Sequence, residues 1–141
     1  MIGLDTSFLV ALSIAEHTDH VRAHTLFRAT ATNELFALTP DVLAEFIHAV
    51  TDPRRFPQPF SMPAALDDAR AWWTARNVHR LAGTTESVTL CLEWMERHQL
   101  GRKRILDTML AATLYSAGVR RLFTLNAADF RVFGVFELLV P

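Results

Sequence analysis

Leu35-Phe36-Ala37-Leu38-Thr39-Pro40-Asp41-Val42-Leu43-Ala44-Glu45-Phe46-Ile47 is the stretch on which the fold of this chain turns. A short apolar run, Leu35 to Leu38, reads as a strand. Thr39 then offers a side-chain oxygen for a helix N-cap, Pro40 suits the first helical position, and Asp41 suits the positive end of the helix dipole. The helix should run to about Thr51. It is apolar nearly all round except at Glu45 and His48, so it belongs in the centre of the molecule. A buried strand delivered straight into a helix is the unit of a parallel sheet.

The same reading extends in both directions. Met1 to Leu4 is a short buried strand followed by a helix from about Thr6. His17 to Ala31 has helical spacing, with Val21, Leu26 and Phe27 as its expected buried side. Helices follow at Pro63 to Arg76 and Thr85 to His98, with a strand at Val78 to Leu81 between them. Ile105 to Ala117 is a helix closed by Gly118. Leu122 to Leu125 and Phe136 to Val140 are strands. Trp72, Trp73 and Trp94 fall at helical spacing and read as core or dimer packing rather than as base-stacking platforms. The expected architecture is a single α/β domain over residues 1–141, a central parallel sheet between two helical layers.

Thr51 to Pro63 is the one real loop and holds four of the six prolines. Its aromatic residues suit a flap packed on the body better than a linker. Half of the 141 residues are hydrophobic and 21% are charged, the balance of a soluble globular domain. No apolar run approaches the roughly 20 residues of a membrane span. The amino terminus lacks the basic region of a signal peptide, and the single cysteine, Cys91, suits a reducing compartment, so a cytoplasmic protein is expected. The net charge of −1 excludes a generally basic nucleic-acid binder. Among the 14 basic residues only Lys103 is a lysine. Arg54-Arg55 and Arg120-Arg121 read as solvated turns. Arg102-Lys103-Arg104, just before Asp107, could conduct phosphates toward that acid.

Four carboxylates stand where apolar residues are expected. Asp5 ends Met1-Ile2-Gly3-Leu4, Glu45 interrupts its helix, Asp107 interrupts Ile105-Leu106-Asp107-Thr108-Met109-Leu110, and Asp129 follows Leu122-Phe123-Thr124-Leu125. An ionised carboxylate in apolar surroundings costs on the order of several kcal/mol unless a cation or donors compensate it. No lysine or arginine neighbours Asp5 or Glu45 in sequence. Asp5 could cap a helix, Asp107 could face a helix dipole, and Asp129 could cap a turn; Glu45 has no such explanation. In a parallel sheet all four can reach the edge formed by the carboxyl ends of the strands, where ligands bind. Together they point to a site for Mg²⁺ or Mn²⁺, the cations that oxygen-rich clusters prefer.

Ile2-Gly3-Leu4-Asp5-Thr6-Ser7, Ala44-Glu45-Phe46, Leu106-Asp107-Thr108-Met109-Leu110-Ala111-Ala112 and Thr124-Leu125-Asn126-Ala127-Ala128-Asp129-Phe130 resemble, in order and spacing, the successive motifs of the PIN-domain family. Within it the chain is most similar to the VapC toxins of bacterial toxin–antitoxin pairs. Val50-Thr51-Asp52-Pro53-Arg54-Arg55-Phe56 resembles a loop of a mycobacterial-type branch. The resemblance implies a three-layer α/β/α domain and a Mg²⁺- or Mn²⁺-dependent endoribonuclease, commonly dimeric and restrained by a VapB-type antitoxin. It implies that Asp5, Glu45 and Asp107 coordinate the metal. The fourth acidic role falls to Asp129, or Asn126 holds a metal-bound water instead. Thr6, Ser7 and Thr124 are then hydroxyl donors that steady the carboxylates. In-line attack by water would leave a 5′-phosphate and a 3′-hydroxyl.

Other readings have weaker support. His17, His20 and His24 share a helical face and could bind zinc, though a solvated or partner-facing surface explains them better. A phosphatase of the haloacid dehalogenase type needs a second aspartate where Ser7 stands. A receiver domain needs a lysine after a late strand, and Lys103 precedes a helix. The non-enzymatic alternative is a PIN-like interaction module whose acids persist without turnover.

Overall fold

Leu35 to Val50 folds as its residues dictate. Phe36–Leu38 is a fully buried strand, the Thr39 hydroxyl accepts the Val42 N–H at 3.4 Å, and Pro40 opens a helix that ends at Val50. The computed structural model describes all residues, Met1–Pro141. Around that unit run β1 (Ile2–Leu4), α1 (Thr6–Ser13), α2 (His20–Thr30), β2 (Phe36–Leu38), α3 (Pro40–Val50), α4 (Met62–Thr74), β3 (Val78–Arg80) and α5 (Thr85–Arg97). A 3-10 turn (Arg102–Arg104) leads into α6 (Ile105–Ser116), followed by β4 (Arg121–Phe123), α7 (Ala127–Arg131) and β5 (Glu137–Leu139).

All strand pairs are parallel and the order across the sheet is β3-β2-β1-β4-β5. The chain steps outward from β1 to β3 and then crosses back to β4 on the other side of β1. Right-handed crossovers therefore put α1–α4 on one face and α5–α6 on the other. The packing agrees: α1 meets α2 and α3, α3 meets α4, and α5 lies along α6. This is the three-layer α/β/α arrangement expected. The reversal of direction falls between β1 and β4, and the crevice beyond their carboxyl ends is where such sheets bind ligands.

The core is aromatic on the α1–α4 side. Phe8 stacks on Phe123 at 4.4 Å between ring centres, and Phe27 stacks on Phe36 at 5.3 Å. Trp72 meets Phe27 edge-on on this side, and Trp94, from α5 in the other layer, stacks on Phe133 at 4.8 Å, so both are packing groups. On the other face a side chain at Gly3 would come within 2.7 Å of a Leu114 methyl. The missing side chain lets β1 seat directly on α6, which brings the ends of those two elements together.

Several details differ from expectation. Val21 is 74% exposed, and Ala23 is the fully buried residue of α2. The two lie about 200° apart around the helix, so both cannot face inward, and Ala23 is the one that joins the core. The His20 ring donates from Nδ1 to the Ala11 carbonyl at 2.8 Å, and His24 donates from Nε2 to the Leu12 carbonyl at 2.9 Å. These rings satisfy carbonyls at the carboxyl end of α1, which lack partners within their own helix. His20 and His24 are thus a helix-to-helix tie, while His17 lies before α2, where its Nδ1 accepts the Asp19 N–H at 3.0 Å. The turn α7 was not anticipated because a single turn carries no periodicity to read. No helix is long and apolar enough to cross a membrane.

Candidate functional site

Asp5 follows β1 directly and occupies the N-cap position of α1, yet its side chain makes no capping bond. Oδ2 accepts instead from Ser7 Oγ at 2.5 Å and from Thr124 Oγ1 at 2.7 Å. Each hydroxyl has one proton to give and lone pairs to receive. Ser7 Oγ receives the Leu125 N–H at 2.9 Å, and Thr124 Oγ1 receives the Asn126 N–H at 2.9 Å. One oxygen of Asp5 is thereby committed to joining β1 to the segment after β4. The other is available to the crevice. Burial pushes the Asp5 carboxyl above its ordinary pKa, and the two hydroxyls only partly offset this.

Glu45 reaches the same place from α3, and its Oε2 accepts from Thr6 Oγ1 at 2.9 Å. Asp107 comes from the first turn of α6. Its carboxyl is pushed up to about 6, first by burial, then by the charges of Asp5 and Asp129, with Arg104 opposing and Glu45 adding to the rise. Asp5, Glu45, Asp107 and Asn126 line one cleft of about 540 Å³ at the end of the sheet, with Thr6 and Ser7 in its wall. Neither Asp5 nor Glu45 forms an ion pair. Like charges thus meet in one half-buried space without a cationic side chain paired to two of them.

Asp129 is placed differently. It does not line the cleft, and its carboxylate lies 3.6 Å from Arg104 Nη1. Arg104 also donates to the Asp129 backbone carbonyl, and its Nε lies 3.9 Å from Asp107 Oδ2. That Nε is buried with no hydrogen-bond partner. Of the basic cluster, Arg102 and Lys103 are exposed, while Arg104 is taken up between two acids.

Two polar residues of the cleft, His48 and Arg55, are not among the site residues expected from the sequence, where Arg55 reads as a solvated turn. His48 lies one turn beyond Glu45 on the same face of α3, a spacing that could have signalled it. Arg55 lines the cleft from the loop after α3, where only the folded chain reveals its position.

The donor set suits a hard divalent cation. It is made chiefly of carboxylate, amide and hydroxyl oxygens, with one imidazole, His48, and no cysteine in the lining. The raised Asp107 and the unpaired Asp5 and Glu45 are groups that a cation would relieve. No three His, Cys, Asp or Glu side chains are drawn together as a ready-made metal cage.

Thr124→Val is expected to leave the shape intact while removing both a donor to Asp5 and the acceptor of the Asn126 N–H. Urea unfolding should show a loss of about 1–3 kcal/mol, the usual cost of buried polar groups left unmet. A change within experimental error would mean that this junction does not hold β1 to β4.

A parallel sheet ordered 3-2-1-4-5 with an acidic cleft at its switch point defines a class. The chain belongs to the PIN-domain family, whose model matches residues 2–134. Among solved structures it is similar to VapC20 of Mycobacterium tuberculosis, described as a sarcin–ricin loop cleaving toxin, at 24% identity and TM-score 0.76, covering 97% of this chain and 98% of that one. It is similar to VapBC2 of Rickettsia felis bound to a promoter DNA fragment, at 17% identity and TM-score 0.66, covering 98% of each chain. A toxin–antitoxin complex from Klebsiella pneumoniae is similar at 14% identity and TM-score 0.63, covering 92% of this chain and 90% of that one. No curated protein matches at the level of sequence. At these identities the likenesses establish the fold.

Proposed function

We propose that this chain is a single-domain Mg²⁺- or Mn²⁺-dependent endoribonuclease and the toxin of a VapBC-type pair. The observation that carries the reading is the meeting of Asp5, Glu45 and Asp107 in one cleft, with Asp5 and Glu45 free of ion pairs. Those three would hold the cation, and Asn126 completes the wall beside them. When bound, the cation supplies a water of lowered pKa and neutralises charge that develops on the phosphoryl oxygens. The chain's own part is positional. Ser7 and Thr124 fix Asp5, Thr6 fixes Glu45, and α6 presents Asp107 to the same cleft.

Asp129 acts from behind the cleft. Through Arg104 it is tied to Asp107, so the two set where α6 and α7 stand relative to one another. Arg102 and Lys103 remain exposed beside this wall and are the members of their cluster able to meet RNA phosphates. Likeness to VapC20 and to two toxin–antitoxin assemblies supports the biological role. A VapB-type antitoxin would restrain the enzyme by covering the cleft, with an arginine standing in for the cation's charge. The working form is proposed to be a homodimer in the cytoplasm.

The test is cleavage of total RNA by purified protein with Mn²⁺, with Mg²⁺ and with a chelator. Metal-dependent fragments bearing 5′-phosphate and 3′-hydroxyl ends are the expected result. Metal-loaded, folded protein that leaves all RNA intact would establish the interaction-module reading instead.

A further inference from the structure

We infer that Arg55 is the phosphate anchor of the RNA path, and that the pocket behind it, floored by Phe56 and His17, receives the nucleotide next to the scissile bond. This rests on the ribonuclease reading above. Arg55 lines the acidic cleft and also a second pocket of about 360 Å³, which it shares with Glu16, His17, Thr18, Phe56 and Pro57. It is the only residue common to the two linings, so it stands where one space passes into the other.

The loop holds it there. The Asp52 carbonyl accepts N–H groups from both Arg55 and Phe56, at 3.1 and 3.2 Å. The Asp52 carboxylate takes the Arg54 N–H at 2.9 Å and pairs with the Arg54 guanidinium at 3.3 Å. These bonds to Arg54 hold the Asp52 carboxyl below its ordinary pKa, so the turn is kept in neutral solution. Farther on, the Phe60 N–H bonds the Val50 carbonyl at 2.8 Å, and Phe56 and Phe60 pack on the core.

Asp52 therefore occupies Arg54 and leaves the Arg55 guanidinium with no ion pair and no side-chain hydrogen bond, its Cζ lying 6.0 Å from the centre of the neighbouring Phe56 ring. An exposed, unpaired guanidinium on a stiffened turn is suited to a phosphate, which it grips through two parallel N–H donors. In the same cleft Asp5, Glu45 and Asp107 repel phosphate, so among the residues lining it the Arg55 guanidinium is the one that attracts the backbone. In the second pocket the rings of Phe56 and His17 lie 6.5 Å apart at a tilt. Single-stranded RNA is read by stacking of splayed bases on such rings and by polar groups along their edges. Glu16 is an acceptor for exocyclic amino groups, which favours cytosine, adenine or guanine there over uracil.

The experiment measures binding of a fluorescein-labelled, mixed-sequence single-stranded RNA to the full chain in chelator, across a range of salt concentrations. Arg55→Ala should weaken binding about tenfold and flatten the salt slope by about 0.7, the value for one lost phosphate contact on a single strand. Arg55→Lys should restore the slope and most of the affinity. Mn²⁺ affinity should be unchanged in both. Arg120→Ala removes an equal charge that stacks on Tyr115 away from the cleft, and it should bind RNA as the wild type does. Glu16→Gln should change the base preferred beside the cut in a randomised RNA pool. Wild-type affinity and slope in Arg55→Ala, from protein whose parent cleaves RNA, would overturn the inference. A parent that neither binds nor cleaves RNA would overturn the ribonuclease reading and this inference with it.

Discussion

Asp5→Asn is expected to lower RNA cleavage on the order of 10³-fold or more while leaving the fold intact, because it removes charge without removing shape. Oδ2 of Asp5 receives both the Ser7 and Thr124 hydroxyls. The single amide oxygen of asparagine can take over both bonds, so the junction between β1 and β4 survives. The amide nitrogen then points into the cleft where an acceptor is required, and cation binding is lost. Retained activity in folded Asp5→Asn protein would remove Asp5 from the mechanism.

Without metal, Asp107→Asn should make the protein more stable at pH 7.5, an unusual direction for a polar substitution in a cleft. The Asp107 carboxyl titrates at about 6 in the folded chain against 3.8 as its ordinary value. Between those two values the folded state holds more proton than the unfolded one, so stability falls as pH rises and stays lower above pH 6. The difference corresponds to about 2 kcal/mol after allowance for partial solvent access. Asparagine escapes this penalty, so its advantage should be full above pH 6 and fade toward pH 4. Mn²⁺ should raise the melting temperature of the wild type and not that of the variant. Thermal melts from pH 4 to 8 with and without Mn²⁺ check this. A variant that melts below the wild type at pH 7.5 in chelator would show that the loss of the Arg104 contact outweighs the relief of repulsion.

The elements that were legible in the sequence are those with a local cause. Thr39 and Pro40 announced the start of α3, Gly118 closed α6, and apolar runs marked the buried strands. Asp5, Glu45 and Asp107 were visible because each broke an apolar pattern, and their meeting in one cleft follows from parallel topology. What could not be read depends on contacts between distant segments. Asn126 lines the cleft and Asp129 turns to Arg104, a choice made by the α7 turn and by a guanidinium 25 residues away. Arg55 looked like a solvated turn residue until the Asp52 turn folded it over the cleft. Val21 was misplaced because hydrophobic character alone does not say which side of α2 meets an aromatic layer.

The central claim is that Asp5, Glu45 and Asp107 share a divalent cation. The most direct test is titration of the protein with Mn²⁺ while free Mn²⁺ is followed by electron paramagnetic resonance. The account predicts saturable binding at neutral pH that is lost in Asp5→Asn, Glu45→Gln and Asp107→Asn and retained in Arg55→Ala. Equal Mn²⁺ binding by the wild type and all three carboxylate variants would contradict it.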